Sequence, residues 1–293
     1  MSATAPSKSF RAGLVQMRTG RDVARNLEDA TRLIREAAGQ GAHYVQTPEF
    51  TVLMEATSRD WFAGTKPEDG NPAVAHFSQL ARELGLWLHL GSMSVLLPSG
   101  KIANRGYLFT PAGEIAARYD KIHMFDAAPG SGESYRESKH FQAGDKAVVA
   151  DLPWGRLGLT ICYDLRFPGL YRSLAQAGAT MLAVPSAFIQ QTGAAHWHAL
   201  VRARAIETGS YVLAAAQGGR HESGRETFGH SIAVSPWGQI ISEAGDGVQP
   251  SVILADIVLS EVEEARRRMP SLGHDRHFEV ERVHSLEGTG LRS

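Results

Sequence analysis

The sequence predicts an α/β fold, and three stretches carry the prediction. Residues 11–47 read as strand, helix, strand; residues 86–119 read as strands joined by short turns; residues 157–216 alternate apolar strands with helices. The first strand, 11–17, is short and apolar. The helix at 26–38 sets Leu27, Ala30, Leu33, Ile34, Ala37 and Ala38 at helical spacing, and Gly39 and Gly41 end it. Pro48 stops the strand at 43–47. A second helix at 71–84 gathers Val74, Phe77, Leu80 and Ala81 on one face. The strands at 86–97, 103–109 and 115–119 are joined by the turns 98–101 and 111–114, so they pair antiparallel. Residues 125–145, rich in Gly, Ser, Pro and Glu, read as one long loop. Strands at 147–152 and 157–161 flank the turn 153–155, and Pro168 opens a helix to 177. A buried strand at 179–184 and a helix at 195–208, closed by Gly209, come next. Strands at 211–216, 231–234, 240–243 and 252–257 lead to an amphipathic helix at 259–268 that Pro270 ends.

The 293 residues suit one domain, expected over 10–277 with a tail at 278–293, two domains being the alternative. Charges balance, 30 basic against 31 acidic, so no basic excess points to nucleic acid as a partner. Residues 173–201 hold no Asp, Glu, Lys or Arg, but Gln176, Pro185, Gln190, Gln191, His196 and His198 interrupt them, so no membrane span is expected. The N-terminus lacks a secretory apolar stretch, and the expected location is the cytoplasm. Cys162, the single cysteine, forms no internal disulfide and no Cys-rich zinc site.

Cys162 follows the apolar strand 157–161 and precedes a helix. A nucleophile on such a turn is exposed, with backbone N–H groups near a developing oxyanion; a buried, inert cysteine is the other reading. Glu49, directly after Pro48, is either a general base beyond a buried strand or a solvated loop acid. Lys121 either lowers a thiol pKa and binds an oxyanion, or pairs with Asp120 at the surface.

Three blocks together, Pro48-Glu49-Phe50, Tyr119-Asp120-Lys121-Ile122-His123 and Ile161-Cys162-Tyr163-Asp164-Leu165-Arg166-Phe167-Pro168, resemble the Glu, Lys and Cys motifs of the nitrilase superfamily of carbon–nitrogen hydrolases, in that family's order. Glu137 matches the additional glutamate that orients the family's site. The resemblance implies a four-layer αββα sandwich pairing as a homodimer or higher homo-oligomer, with no metal and no organic cofactor. It implies that Glu49 takes the Cys162 proton and the thiolate attacks an amide. Lys121 and the Tyr163 N–H would hold the oxyanion, Glu137 would position Lys121, and a thioester would be hydrolysed. The products would be a carboxylate and ammonia.

The segments 185–188, 192–197, 202–207, 229–231 and 236–238 are similar to those of Nit-type amidases, and within that group 185–188 and 215–219 lean to the deaminated-glutathione amidase branch over the omega-amidase branch, which acts on 2-oxoglutaramate. His198 stands where a glutamate is usual and Ser235 where an aspartate is usual, which bears on substrate identity. Both substrates are anionic 2-oxo acids, so a cation is expected in the site. Arg166 is the candidate, with an ion pair to Asp164 or Glu207 as its alternative; Phe188 lines the pocket or belongs to the core. Three rivals stand against this reading. A Cys–His thiol protease would use His123 or His196. A metal hydrolase would use 196–198 or 274–277. An inactive scaffold would serve only as a binding partner.

Overall fold

The computed structural model describes residues 9–130 and 133–283. β1 (Ser9–Gln16), α1 (Val23–Gly39) and β2 (Tyr44–Gln46) form the expected strand–helix–strand unit, β1 and β2 running parallel. α2 (Ser58–Gly64) and α3 (Pro72–Leu84) precede β3 (Trp87–Leu96), β4 (Ile102–Phe109) and β5 (Ile115–Asp120), which pair antiparallel in succession. β6 (Asp126–Gly130) and β7 (Glu133–Arg136) make a hairpin. β8 (Val148–Asp151), β9 (Arg156–Leu159), α4 (Pro168–Gln176), β10 (Met181–Ala183), α5 (Gln190–Thr208) and β11 (Tyr211–Ala214) follow. β12 (Gly218–Arg220) and β13 (Glu226–Phe228) form a second hairpin. β14 (Ile232–Val234), β15 (Ile240–Glu243), β16 (Ser251–Val258) and α6 (Ser260–Arg268) complete the order.

Two six-stranded sheets result, in the orders β16-β1-β2-β3-β4-β5 and β15-β14-β11-β10-β9-β8. Strand alternation builds the layers. Ala12, Leu14, Tyr44 and Leu108 face the second sheet, while their chain neighbours Val15, Val45, Tyr107 and Phe109 face the opposite way. Those outward residues pack on Ala30, Leu33, Ile34 and Ala37 of α1 and on Phe77, Leu80 and Ala81 of α3. On the other side, Tyr171 and Leu174 of α4 and Trp197, Val201 and Ala205 of α5 cover the second sheet. The stack is an αββα sandwich. A fully buried side chain such as Phe77 contributes about 1.5–3 kcal/mol by leaving water.

Local chemistry explains the helix limits. The Asp22 side chain accepts from the Ala24 and Arg25 N–H groups at the start of α1. Asn71 caps α3, Pro72 sits at its first position, and Gly85 at φ 64° closes it. Two expectations need correction, and two elements were not anticipated. The stretch 125–145 is not one long loop: the β6–β7 hairpin and a short 3₁₀ turn at Glu137–Lys139 fill part of it, with Phe125 against Tyr135 at 5.0 Å. α5 starts at Gln190 rather than 195, because Gly193 serves close packing instead of breaking the helix; a Cβ there would meet Phe228 Cβ at 2.2 Å. Both α2, capped by Thr57 Oγ1 accepting from Asp60 N at 3.2 Å, and the β12–β13 hairpin carry no strong pattern and escaped the sequence reading. Of the expected tail, residues 284–293 lie outside the described residues.

Candidate active site

Glu49 comes off the carboxyl end of β2, Lys121 off β5 and Cys162 off β9, so three strand ends supply the site. Open α/β sheets commonly bind ligands at such ends. The turn after β2 is tight. Phe50 has φ 55°, its N–H donates to Ser92 Oγ at 3.0 Å, and Gln217 Nε2 donates to the Glu49 carbonyl at 3.0 Å. Behind it β3 runs so close that a Cβ on Gly91 would lie 2.0 Å from Thr47 O and 2.6 Å from Pro48 O. Lys121 N–H continues toward β4, donating to Asn104 O at 3.0 Å.

Cys162 sits at φ 50°, a left-handed conformation that costs an L-residue about 1–2 kcal/mol. Neighbours hold it there. Its N–H donates to Pro185 O at 2.9 Å, and Asp164 N–H to Ile161 O at 3.1 Å. The Tyr163 amide between them has no backbone acceptor among the described residues. Asp164, fully buried, accepts from Ile161 N at 2.9 Å, Tyr119 Oη at 2.7 Å and His123 N at 3.0 Å, and meets His123 Nδ1 at 2.7 Å.

The side chains converge. Lys121 Nζ lies 2.9 Å from Glu49 Oε1 and 2.9 Å from Glu137 Oε2. Asn104 Nδ2 donates to Glu49 Oε1 at 2.9 Å, and the Phe125 N–H to Glu137 Oε2 at 2.6 Å. The Cys162 thiol lies near enough to the Glu49 carboxylate for each to shift the other's hold on its proton. Exposure is 1% at Glu49, 2% at Lys121 and 7% at Cys162, so these charges meet in a nearly dry cluster. Burial alone would raise the Glu49 carboxyl, but Lys121 and Arg225 hold it below the ordinary carboxylate value. Burial alone would lower Lys121; the Glu137 and Glu49 carboxylates outweigh it and push the ammonium well up. Burial and the Glu49 charge push the Cys162 thiol up, against Lys121 and the Ala187 N–H. The resting cluster is therefore thiol, carboxylate and ammonium: a nucleophile beside an ionised base and a fixed positive charge.

This cluster floors a cleft of about 650 Å³. Tyr163, Arg166 and Phe188 line it. Arg166 takes neither Asp164 nor Glu207 as partner; its guanidinium lies 5.2 Å over the Phe188 ring, with Nη1 3.2 Å from His196 Nδ1. Glu207 instead binds Arg204 at 2.8 Å. Phe188 belongs to both cleft wall and core. His198 and Ser235 do not line the cleft. His198 Nε2 meets Glu243 Oε1 at 2.8 Å, and Ser235 Oγ accepts from the Trp237 and Gln239 N–H groups in the hairpin turn.

The thiol-protease rival finds no matching geometry among the described residues. His123 turns to Asp164 and His196 to Arg166, not to the thiol. The histidines at 196–198 face different partners, and His274 and His277 are exposed. The group close enough to share a metal ion is instead His198, His230 and Glu243, away from the cleft. Sequence reasoning missed Asn104, Asp164 and Arg225 as parts of the site. An asparagine inside the apolar run of β4 was the readable signal for the first.

The carbon–nitrogen hydrolase family model matches residues 11–267. A deaminated glutathione amidase of Yersinia enterocolitica is 40% identical over 272 residues, 92% of this chain and 94% of that protein. Among solved structures, Nit3 of Saccharomyces cerevisiae, a nitrilase-superfamily member, superposes with TM-score 0.83 at 29% identity, covering 95% of this chain and all of that one. An amidase of Nesterenkonia sp. AN1, carrying the acetamide moiety of fluoroacetamide on its active-site cysteine, matches with TM-score 0.74 at 26% identity, covering 91% and 97%. The chain belongs to the carbon–nitrogen hydrolase family. It is a hydrolase of carbon–nitrogen bonds other than peptide bonds.

Proposed function

We propose that this protein hydrolyses deaminated glutathione through a thioester on Cys162. The observation that carries the chemistry is the convergence of Glu49, Lys121, Glu137 and Cys162 on the cleft floor. Glu49 accepts the thiol proton as sulfur bonds to the amide carbon. Lys121 and the Tyr163 N–H stabilise the oxyanion, and Glu137 keeps Lys121 charged and in place. The C–N bond breaks as Glu49 returns the proton to the leaving nitrogen. Glu49 then takes a proton from water, hydroxide adds to the thioester, and the carboxylate departs as Cys162 regains its proton. Because the thiol holds its proton tightly and Glu49 holds one weakly, transfer waits for the carbonyl that receives the charge.

The substrate choice rests on the 40% identical relative and on the cation Arg166 in the cleft. Deaminated glutathione carries a secondary amide, so its leaving group is the cysteinylglycine amine; ammonia would leave only from a primary amide such as 2-oxoglutaramate. Both yield 2-oxoglutarate, a common readout. The test is 2-oxoglutarate release from each substrate by the native protein and by Cys162→Ala. Faster turnover of deaminated glutathione, abolished in the variant, supports the reading. Preference for 2-oxoglutaramate makes the protein an omega-amidase; silence on both, or activity surviving Cys162→Ala, overturns the proposal.

We further propose one hydrolase domain over 10–277, a homodimer or higher homo-oligomer, and residence in the cytoplasm. The family match at 11–267 supports the first. The exposed Ile206, Trp237, Ile240 and Ile241 support the second, and light scattering of the purified protein tests it. The unpaired Cys162, which the chemistry needs as a thiol, supports the third.

A further inference from the structure

Arg225 lies on the turn between β12 and β13. Its Nη2 donates to Ala187 O at 2.9 Å, and its guanidinium lies 5.8 Å from the Tyr135 ring centroid. Its Nε is buried without a hydrogen-bond partner, and so is Ser223 Oγ two residues earlier. Both residues line the cleft. Buried polar atoms are nearly always satisfied, so two orphans on one turn, in residues that line one cavity, mark a place for a ligand. No carboxylate pairs with Arg225 among the described residues: neighbouring Glu222 accepts from Arg21 N, and Glu226 lies nearest Arg220.

Arg225 and Arg166 flank the same short segment, Arg225 bonding Ala187 and Arg166 covering Phe188. Ala187 and Phe188 line the same cleft as Cys162. Two guanidiniums with no carboxylate partner among the described residues therefore line the cleft that holds the nucleophile. A planar fork of donors matches one carboxylate, and Ser223 adds a hydroxyl beside it. Deaminated glutathione has two carboxylates, one on the 2-oxoacyl half and one at the end of the leaving dipeptide, too far apart for a single guanidinium. Arg225 is also close enough to Glu49 to influence its charge, and Glu49 hands the proton to the leaving nitrogen.

We propose that Arg225, with Ser223, is a second carboxylate clamp that holds the leaving-group half of the substrate, so that the cleft selects amides bearing a carboxylate on both sides of the scissile bond. This rests on the thioester reading above.

The test compares kcat/KM for deaminated glutathione and for 2-oxoglutaramate, whose leaving group has no carboxylate, in the native protein, Arg225→Gln, Arg225→Lys and Ser223→Ala. Any effect of Arg225 through Glu49 strikes both substrates and cancels in their ratio. The ratio favouring deaminated glutathione is expected to fall about 10- to 100-fold in Arg225→Gln, less in Arg225→Lys, and about 3-fold in Ser223→Ala. Equal losses on both substrates, or no loss, overturn the clamp. Calorimetric binding of deaminated glutathione to Cys162→Ala, with and without Arg225→Gln, gives an answer without turnover. A Kd weakened about tenfold or more by Arg225→Gln supports the clamp, and an unchanged Kd overturns it. Native protein silent on both substrates overturns the catalytic reading instead.

Discussion

Tyr119 Oη donates to Asp164 Oδ2 at 2.7 Å, tying the strand that ends at Lys121 to the turn that carries Cys162. Both residues are buried, and Asp164 fills its remaining positions with Ile161 N and His123. Removing the hydroxyl leaves a buried carboxylate short of one donor. Tyr119→Phe is expected to lose about 1–3 kcal/mol of stability in urea unfolding. It should also slow turnover, because oxyanion donor and nucleophile lose their shared anchor. Unchanged stability would show that the bond carries no weight.

In the proposed mechanism Glu49 sets the acid side of the pH profile. Its ionised form is the base, and its folded pKa lies below the ordinary carboxylate value, so kcat/KM should stay level as pH falls from 7 to 5 and decline only below the usual 4.5. The same depressed pKa contributes stability above the unfolded value, lost as pH falls through the folded one. A pH–rate profile with unfolding measured at each pH separates the two. A midpoint near 6 would contradict the assignment.

Lys121 neutralises two carboxylates at once. Lys121→Met leaves the buried Glu49 and the half-buried Glu137 without their cation. The expected cost is about 3–5 kcal/mol, read by denaturant unfolding. If the protein still folds, the acid limb of any residual activity should move to higher pH, since Glu49 loses the charge that depresses it.

Gly91→Ala places a methyl against the Thr47 and Pro48 carbonyls, which belong to the turn presenting Glu49. Overpacking of this kind costs about 1–3 kcal/mol. Activity should fall further than stability alone explains, because the displaced atoms carry the base. A crystal structure of the variant showing Glu49 unmoved would refute this.

Much of the site was legible because its residues sit where strand patterns end. Glu49 after Pro48, Lys121 after the strand 115–119 and Cys162 after 157–161 could each be set at a strand end, and the resemblance of the three motif blocks together supplied their roles. Glu137 and Arg225 could not be placed that way. They sit on a short turn and a hairpin whose partners are remote in sequence, Glu137 meeting Lys121 and Arg225 meeting Ala187. The helix α5 was read short for a related reason: Gly193 looks like a breaker until Phe228, 35 positions on in sequence, is seen pressed against it. Likewise His198 drew suspicion as a specificity residue, yet its imidazole meets Glu243, also remote in the chain.

The left-handed turn at Cys162 also bears on how the protein could decay or be redesigned. Glycine adopts φ 50° freely, so Cys162→Gly should unfold at a higher temperature than the active protein while turning over nothing. Selection for robustness alone would drift toward that silent sequence. Screens that rank variants by melting temperature would discard the working enzyme first.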